Sequence, residues 1–481
     1  MEFNPYVKKW RKGLKRIALV YPNRYIGGIA NVGLQFIYAY LNSLENCICE
    51  RFYSDVFEGL RSMESGTHLR EFDVALFSLQ YEEDYFKAVE ILERSGFKGM
   101  KIAGGPCAMI NPRPLKDFFD AFIIGEVEKS NVLDLIVESR SKEELKDLKG
   151  IWTGHEERVK RIKPKKLDFY LGKQIIGESA FGKCILLEVG RGCFRRCRFC
   201  VVRQIYSPVR WRDPDILLDF AESHKGLVDK CSLIAPSVGD YPDIKKLTSN
   251  LIEMGYMVSP SSIRADTVDE ELMEMFAVGG LKSFTIAPEA GSQRLRDILG
   301  KDLSEEDIMN AASIASEKGI KSIKLYFMIG LPKETKEDLK ELIELAKKIK
   351  RLFRDVSISI NPLVPKPHTP FQWLPYTGFR DFLAGMKELK RRIDFLKKEL
   401  SREFDVSVSS PDKFAIQTIL SRGGEEVCNL IRTRKQSLRI AKDLGLLKYL
   451  GEIPVEDKLP WDFIDHGYSK SRLIREYEKT F

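Results

Sequence analysis

The fold of this 481-residue chain is constrained above all by two series of short apolar runs that alternate with amphipathic helical stretches. The predicted strands of the first series are Arg16–Tyr21, Asp73–Ser78, Met100–Ala103 and Ala121–Ile124. Helices are predicted over Gly33–Ser43 and Tyr85–Ser95. This alternation favours a parallel sheet, in which ligands bind at the loops that follow the carboxyl ends of the strands. We therefore predict an α/β domain over residues 1–150.

A second series follows residues 151–180, which lack this alternation and are predicted to be a linker. Its six predicted strands are Cys184–Val189, Cys231–Ala235, Met257–Ser261, Ser283–Ala287, Ser322–Ile329 and Val356–Pro362. Short strands in steady alternation with helices predict a partial (β/α)6 TIM-like barrel, whose strand-exit loops converge on one mouth. We place this core at residues 181–403. A long charged helix, about Phe379–Leu400, precedes a small C-terminal α/β region over 404–481.

Composition excludes several classes of protein. Hydrophobic residues make up 43% and charged residues 31%, which excludes a disordered chain. The longest apolar runs fall short of the 18 or more residues of a membrane span, so no membrane association is expected. The basic N-terminus lacks the apolar core of a secretory signal, and we expect a cytoplasmic protein. A net charge of +8 is a mild bias, which leaves RNA among the possible substrates.

Nine cysteines, an odd number in a chain with no export signal, argue against a disulfide framework. Cys193, Cys197 and Cys200 form a C-x3-C-x2-C loop directly after the first predicted barrel strand. A structural zinc site is normally closed by four ligands, so zinc would require Cys184 or Cys231 as the fourth. Three thiolates also suit an iron–sulfur cluster with one iron left open for chemistry. The remaining alternative is three unrelated thiols.

This loop resembles the cysteine motif of the radical S-adenosylmethionine (SAM) superfamily. In that family the three cysteines hold a four-iron, four-sulfur (4Fe–4S) cluster whose free iron chelates SAM, and reduction cleaves SAM to methionine and a 5′-deoxyadenosyl radical. The resemblance implies that Cys193, Cys197 and Cys200 are the metal ligands. It also implies SAM contacts at Phe199, Ser237, Ser262, Arg264, Glu289 and Gly330. The family's amino-group motif usually ends in glutamate, whereas this chain reads Ser237-Val238-Gly239-Asp240.

Each of these positions also has a structural interpretation. Glu289 could form an ion pair with Arg294 or Arg296, Ser237 could be an ordinary turn residue, and Arg264 could form a surface salt bridge. Seven arginines surround the cysteine loop: Arg191, Arg195, Arg196, Arg198, Arg203, Arg210 and Arg212. They could balance the anionic cluster or receive an electron donor of the flavodoxin or ferredoxin type. A solvated basic face is the simpler interpretation.

The N-terminal block is similar to the cobalamin-binding-like domain, a Rossmann-like (flavodoxin-like) fold that precedes the barrel of many radical SAM proteins. The resemblance implies cobalamin contacts at Gly27, Gly28, Ser78, Leu79, Gly104, Gly105, Gly125 and Glu126. The Asp-x-His-x-x-Gly pattern that supplies a histidine ligand to cobalt is absent. Cobalamin could therefore bind without a histidine ligand. Alternatively, the domain no longer binds it, and the glycines are tight turns.

Three functions remain open at this stage. The first is a cobalamin-dependent radical SAM methyltransferase that acts on an unactivated carbon of a peptide, an RNA or a small molecule. The second is a radical SAM enzyme without cobalamin, such as a methylthiotransferase, although those usually carry further N-terminal cysteines for a second cluster. The third is a non-catalytic iron–sulfur or zinc-stabilised interaction protein. The sequence favours the first.

Overall fold

The computed structural model of the protein describes residues 2–168 and 172–481, so residues 169–171 of the predicted linker lie outside the described residues. The chain divides into two compact units. The first unit comprises Met1–Leu186, Ile419–Leu446 and Lys458–Tyr468, and the second unit comprises Leu187–Thr418, Leu447–Asp457 and Ser469–Phe481. The C-terminal region therefore contributes to both units. Among the described residues, no helix has both the length and the apolar character needed to cross a bilayer.

The first unit is built on a six-stranded sheet. Its strands are β1 (Lys15–Tyr21), β2 (Cys47–Tyr53), β3 (Val74–Ser78), β4 (Met100–Gly104), β5 (Ala121–Ile123) and β6 (Ile151–Trp152). They lie in the order β2-β1-β3-β4-β5-β6. The first five are parallel and β6 is antiparallel. A parallel order of 2-1-3-4-5 is that of the flavodoxin-like fold, which confirms the prediction.

Three helices of at least seven residues accompany this sheet: α1 (Val32–Ser43), α2 (Asp84–Ser95) and α3 (Val132–Glu138). Asn31 caps α1 by accepting a hydrogen bond from the Leu34 amide, which satisfies one of the free donors at a helix start. Leu34, Tyr38 and Leu41 of α1 pack into the apolar core beside the sheet. The predicted helices therefore begin within a residue of their expected positions.

The sequence analysis missed two strands of this sheet: β2, and the two-residue β6 at the start of the predicted linker. Strand β2 is the longer of the two. All seven of its residues are buried, although Glu50 and Arg51 are among them. Arg51 is neutralised by Glu2 and Glu64, each with a nitrogen–oxygen distance of 2.6 Å. A buried charge requires such partners, and here both lie far from Arg51 in the chain. Glu50 and Arg51 interrupt the apolar run, so the local sequence pattern does not predict a strand here.

The second unit contains the predicted partial barrel. Its strands are β7 (Ile185–Glu188), β8 (Lys230–Ile234), β9 (Met257–Pro260), β10 (Ser283–Glu289), β11 (Ser322–Ile329), β12 (Asp355–Pro362) and β13 (Asp405–Val408). They form one sheet in the order β7-β8-β9 and another in the order β10-β11-β12-β13. All six predicted strands are present. The seventh, β13, pairs in parallel with β12.

Helices follow the strands of the second unit in sequence. They are α4 (Pro214–Ser223), α5 (Ile244–Glu253), α6 (Glu270–Val278), α7 (Gln293–Leu299), α8 (Glu305–Glu317), α9 (Lys336–Lys350), α10 (Phe382–Leu400), α11 (Pro411–Arg422) and α12 (Lys470–Glu478). Helices α8 and α9 each begin with a capping box, formed by Ser304 with Asp307 and by Thr335 with Asp338. Strand β11 alternates strictly between buried and half-buried residues. The predicted strand–helix alternation is thus realised throughout this unit.

Candidate functional site

The cysteine loop leaves the end of β7 through a short antiparallel ribbon, in which Gly190–Arg191 pairs with Arg210–Trp211. Gly192 follows with a φ of +85°, and a Cβ atom there would lie 2.5 Å from the Tyr206 carbonyl oxygen. Only glycine fits this left-handed, crowded position without strain. The glycine turns the chain into the irregular loop that holds Cys193, Cys197 and Cys200.

The three thiols lie near one another. Cys197 is buried, and Cys193 and Cys200 are half-buried. Burial raises the pKa of all three thiols, to about 11 for Cys200, whose pKa is raised further by nearby Cys197 and Cys193. The protein alone therefore holds them as thiols, and cationic metal would have to replace their protons.

The number of thiols in this loop bears on the choice of metal. A structural zinc ion normally takes four ligands, and among the described residues no group of three His, Cys, Asp or Glu side chains is arranged to hold a single ion. Three neighbouring thiols match the ligand number of an iron–sulfur cluster that leaves one iron open.

Most of the arginines around this loop are already paired within the protein. Arg195 binds Asp240 and Asp266, and Arg198 lies 3.6 Å from Glu476. Arg191 and Arg212 both pair with Glu188, at 2.8 and 2.6 Å, and this lowers the pKa of Glu188 to about 2. Arg210 donates to the carbonyls of Pro208 and Tyr206. The basic rim is therefore largely a structural network that fixes the loop.

Ser237 and Ser262 differ in how their hydroxyl groups are used. The Ser262 hydroxyl donates to the carbonyls of Ala235 and Pro236, at 3.2 and 3.1 Å, and so supports the loop after β8. The Ser237 hydroxyl is buried and has no hydrogen-bond partner among the described residues. A buried polar atom without a partner is costly, so Ser237 is the predicted SAM contact that most clearly lacks a ligand in the protein itself.

Arg264 and Glu289 lie close to the cysteines, as predicted, but both have partners in the protein. Arg264 pairs with Asp266 at 2.9 Å and donates to the Lys301 and Asp302 carbonyls. Glu289 pairs with Lys301 at 3.0 Å. Both Lys301 and Arg264 act to lower the pKa of the Cys197 thiol against the larger effect of burial.

The expected ion pair of Glu289 with Arg294 or Arg296 is wrong. Arg294 pairs with Asp338 instead, and Arg296 donates to the carbonyls of Ala290, Gly291 and Leu303, which lie just before and beyond its own helix. Lys301, the actual partner of Glu289, lies just beyond the end of α7. Sequence reasoning missed it because Lys301 is twelve residues away, across a turn that no local pattern specifies.

The two other predicted SAM positions take their places in the barrel loops. Gly330 follows β11 with a φ of +77°. Its amide donates to the Glu334 carboxylate at 3.1 Å, and Glu334 in turn pairs with Arg392 at 2.7 Å. Burial raises the pKa of Glu334 to about 7. Phe199 is half-buried in the cysteine loop.

In the first unit, the predicted glycine positions are crowded by the chain itself. A Cβ at Gly28 would lie 2.4 Å from the Tyr53 ring, and one at Gly27 would lie 3.2 Å from the Tyr21 hydroxyl. At Gly105 and Gly125, which have φ values of +93° and +134°, a Cβ would clash with backbone carbonyls. Internal packing thus accounts for glycine at Gly28, Gly105 and Gly125, and leaves a tight but adjustable contact at Gly27.

The remaining predicted cobalamin positions lie at the same edge of the sheet. They are Ser78, Leu79, Gly104 and Glu126. Ser78 accepts a hydrogen bond from the Gln80 side chain, and the Leu79 amide donates to the Gly104 carbonyl. The buried Glu126 follows β5, and its amide donates to the Ile162 carbonyl. The chain after β3 is therefore bonded to the end of β4, and the loop after β5 is bonded to the segment around Ile162.

The half of this edge beyond β4 is covered by distant segments of the first unit. The Asn111 side chain donates to the carbonyls of Ser421 and Gly423, at 3.0 and 2.8 Å. The His466 ring lies 2.9 Å from the Met109 carbonyl. This half therefore packs against the protein's own C-terminal segments.

The other half, after β1, β2 and β3, presents exposed apolar side chains. Ile26, Phe57 and Tyr81 follow these three adjacent strands in turn, and all are exposed. Phe57 and Glu58 have φ values of +47° and +56°, a conformation that costs a non-glycine residue about 1–3 kcal/mol and is found at functional sites. We call Ile26, Phe57 and Tyr81 the apolar edge.

Polar side chains tie the loops of the apolar edge together. Asp84 accepts hydrogen bonds from the Asn23 side chain at 2.9 Å and from the Gln80 and Tyr81 amides at 3.2 Å. The Tyr25 amide donates to Asp55 at 2.7 Å. Burial raises the pKa of Asp84 to about 6. Sequence reasoning did not single out these polar residues: the loop of Asp55 follows the missed β2, and those after β1 and β3 show no pattern that pairs one loop with another.

The Radical SAM superfamily profile matches residues 187–346, and a profile described as "Radical SAM proteins, N-terminal" matches residues 33–152. A Methanocaldococcus jannaschii protein described as "Uncharacterized protein MJ0966" is 40% identical over 464 residues, which cover 94% of this chain and 98% of that protein. The threonylcarbamoyladenosine tRNA methylthiotransferase MtaB of Aquifex aeolicus is 23% identical over 72% of this chain and 85% of its own.

Solved structures share the fold. The radical SAM methyltransferase TsrM from Kitasatospora setae, with cobalamin and a [4Fe–4S] cluster bound, aligns with a TM-score of 0.55 at 12% identity, over 89% of this chain and 99% of that one. The cobalamin-dependent SAM radical enzyme OxsB aligns with a TM-score of 0.53 at 14% identity, over 97% of this chain and 79% of that one.

Family membership implies a 4Fe–4S cluster and SAM as cofactors. The residues fit both groups, because three neighbouring thiols are present and the buried Ser237 hydroxyl lacks a partner among the described residues. The protein is therefore a radical SAM enzyme. The chain belongs to the radical SAM superfamily and carries a flavodoxin-like domain of the cobalamin-binding-like type ahead of its cysteine-bearing barrel.

Proposed function

We propose that this protein is a cobalamin-dependent methyltransferase that acts on an unactivated carbon. The observation that carries the proposal is the apolar edge of the first unit. A flavodoxin-like sheet binds ligands at this edge, and here three cross-tied loops expose Ile26, Phe57 and Tyr81 to receive a large, partly apolar ligand. TsrM and OxsB, which share the fold, bind cobalamin.

The cluster and SAM supply a 5′-deoxyadenosyl radical when bound, and cobalamin supplies the methyl group. The chain's own residues hold and orient these groups. Cys193, Cys197 and Cys200 provide the thiolates, and the paired arginines of the loop keep them in place. Ser237 offers a hydroxyl to the SAM amino group, while the Glu334 carboxylate fixes the amide of Gly330, another predicted SAM contact. Preorganised groups of this kind lower the entropy cost of binding.

A methylthiotransferase is the second candidate, because MtaB is among the sequence relatives. That activity usually uses a second cluster held by N-terminal cysteines. Cys47, Cys49 and Cys107 are buried in the first unit, and Cys47 and Cys49 belong to its apolar core. Burial raises the pKa of Cys47 to about 11 and that of Cys49 well above its usual value. These positions favour a packing role over a second cluster.

Metal analysis tests the proposal. The protein is purified without oxygen, reconstituted with iron and sulfide, incubated with hydroxocobalamin and desalted. We expect about four iron atoms and about one cobalt per chain. About eight irons without cobalt would support the methylthiotransferase instead. Cluster binding with no retained cobalt would remove methyl transfer through cobalamin from consideration.

A pair of variants locates the cobalamin site. The double substitution Phe57→Ala with Tyr81→Ala removes most of the apolar edge and should lower cobalt retention at least about tenfold, since burial of apolar surface drives such binding. Leu444→Ala is the matched control, because Leu444 is an exposed apolar residue of the same unit outside these loops. Equal retention by both variants would place the cofactor elsewhere.

A further inference from the structure

Two residues of the cysteine loop lie outside the ion pairs described above, although the Arg195 guanidinium lies over the Phe194 ring at 5.0 Å from its centroid. Phe194 follows Cys193 directly, and Arg196 directly precedes Cys197. Phe194 is 52% exposed, which is unusual for a large aromatic side chain. Arg196 is also exposed, and its side chain has no ion-pair or hydrogen-bond partner among the described residues. Both residues thus lie at the surface within one position of an expected cluster ligand.

Among the described residues, Arg196 is the arginine between Cys193 and Cys200 that has no ion-pair partner. Arg195 and Arg198 are held by carboxylates. Arg203 lies near Glu476 and helps to lower the pKa of that carboxyl. An acidic partner that approached the loop would therefore be attracted by Arg196 rather than by its neighbours, because paired charges largely cancel at a distance.

The loop presents these two side chains from a fixed backbone. The Arg198 amide donates to the Leu299 carbonyl at 2.8 Å, and its guanidinium donates to the carbonyls of Asp297 and Ile298 at 2.8 and 2.7 Å. Gly300 lies so close that a Cβ there would be 2.8 Å from the Arg196 carbonyl oxygen. A surface already fixed in place costs less entropy to bind.

We propose that Phe194 and Arg196 form the docking surface for an acidic, ferredoxin-type electron donor. The proposal rests on the radical SAM activity, which consumes one electron for each SAM cleaved. An electron donor must approach the cluster closely because electron transfer slows steeply with distance, and no side chain is nearer to the ligands by sequence. Exposed aromatic and arginine side chains are enriched at protein interfaces, and here they stand two positions apart in one loop. A patch this small suits a weak, transient complex.

The electron balance of the step is simple. The reduced iron–sulfur centre of the donor loses one electron and is oxidised. The cluster held by Cys193, Cys197 and Cys200 gains that electron and is reduced. No bond is formed or broken in this transfer, and no proton moves.

The test compares a protein donor with a small chemical reductant. The variants are Arg196→Glu and Phe194→Ala, and the readout is the rate of 5′-deoxyadenosine formation with either reduced acidic ferredoxin or dithionite. Arg402→Glu is the matched control, because Arg402 is exposed and precedes β13, at the end of that strand opposite the strand-exit loops. Arg402→Glu makes the same change of charge as Arg196→Glu, but at a position away from the cysteine loop.

We expect Arg196→Glu to raise the ferredoxin concentration needed for half-maximal rate about tenfold at low ionic strength. The effect should shrink at about 1 M salt, where the Debye length falls to about 3 Å. Phe194→Ala should raise the ferredoxin concentration needed for half-maximal rate about threefold, and this effect should depend little on salt. Rates with dithionite should stay within about twofold of wild type for both variants, and Arg402→Glu should match wild type with either reductant.

Two results would overturn the docking surface while leaving the enzyme activity intact. One is an unchanged ferredoxin dependence in Arg196→Glu. The other is an equal loss of rate with dithionite, which would show that these residues act on the cluster itself. By contrast, a wild-type protein that binds its cluster but forms no 5′-deoxyadenosine with dithionite would overturn the radical activity and the docking surface with it. Failure of cobalamin binding affects neither readout.

Discussion

The cysteines of the first and second units show how the backbone decides what a thiol can do. In the first unit, Cys47 and Cys49 lie two residues apart on β2 and both enter the apolar core. In the second unit, Cys193, Cys197 and Cys200 lie in an irregular loop that a left-handed glycine begins. A strand sends alternate side chains to one face, whereas a loop can turn three side chains toward one point. Cysteine thus fills the apolar core in the first unit and forms the proposed ligand set in the second.

The largest expected effect contrasts these two sets directly. Cys197→Ala should abolish iron retention and lower 5′-deoxyadenosine formation by at least about 100-fold, because the thiolates act as a set. The Cys49→Ala protein should retain the iron of the proposed cluster. It should lose about 1–2 kcal/mol of unfolding free energy, the typical cost of a core truncation. The iron content per chain measures cluster retention, and urea unfolding measures the loss of stability. Full SAM cleavage by Cys197→Ala would contradict the assignment of the cluster.

A pair of glycines sharpens the comparison. Gly192 in the second unit and Gly182 in the first have φ values of +85° and +78°, but only Gly192 is crowded. Gly182→Ala should cost about 1 kcal/mol for the left-handed conformation alone. Gly192→Ala should cost about 3 kcal/mol and reduce iron occupancy, since its Cβ meets the Tyr206 carbonyl. Equal losses of stability and full iron occupancy in both variants would break the argument that Gly192 sets the loop.

Ser237 and Ser262 test whether a hydroxyl of the second unit that has no partner in the described part of the protein binds SAM. Ser237→Ala should leave stability within about 0.5 kcal/mol of wild type and weaken SAM binding about tenfold, because its hydroxyl has no partner among the described residues. Ser262→Ala should instead lose about 1 kcal/mol of stability, because it removes the two hydrogen bonds that the Ser262 hydroxyl donates. Calorimetric titration with SAM and thermal unfolding separate the two effects. A marked destabilisation by Ser237→Ala would show that its hydroxyl serves the fold.

The smallest expected effect is a pH dependence confined to the first unit. The pKa of Asp84 is raised from 3.8 to about 6 in the folded state, so the folded protein retains a proton that the unfolded chain has lost. The resulting stabilisation is full below about pH 4 and is lost as the pH rises through about 6. The wild-type protein should therefore lose unfolding free energy between pH 4 and 6, and Asp84→Asn should remove on the order of 1 kcal/mol of that loss. Parallel stability curves for the variant and wild type would contradict the expectation.

The sequence predicted what local patterns encode. Strand–helix alternation located all six predicted barrel strands, four strands of the first sheet and the cysteine loop. It missed β2, because Arg51 interrupts an apolar run and is neutralised by Glu2, 49 residues away. In the same way, the dense arginines of the cysteine loop look like a free basic face until Asp240, Asp266 and Glu476 are brought to them by folding.

The candidate site was predictable to a lesser degree. The three cysteines are recognisable from spacing alone. The partner of Glu289 and the unused hydroxyl of Ser237 depend on how separate strand-exit loops meet, which no single segment specifies. The cobalamin contacts stay a prediction: at Gly28, Gly105 and Gly125 internal crowding also calls for glycine, whereas the exposed residues of the same edge carried no local signal.

The route of the chain through the first unit has a consequence for how the protein is made. The Asn111 side chain bonds to Ser421, 310 residues later in the sequence, and the strand pair of Val159–Lys160 with Ile464–Asp465 joins equally distant segments. During synthesis, the early sheet must therefore wait for nearly the whole chain to leave the ribosome before these contacts form. Until then its later loops stay uncovered, which makes this the stage at which a chaperone would have most to protect.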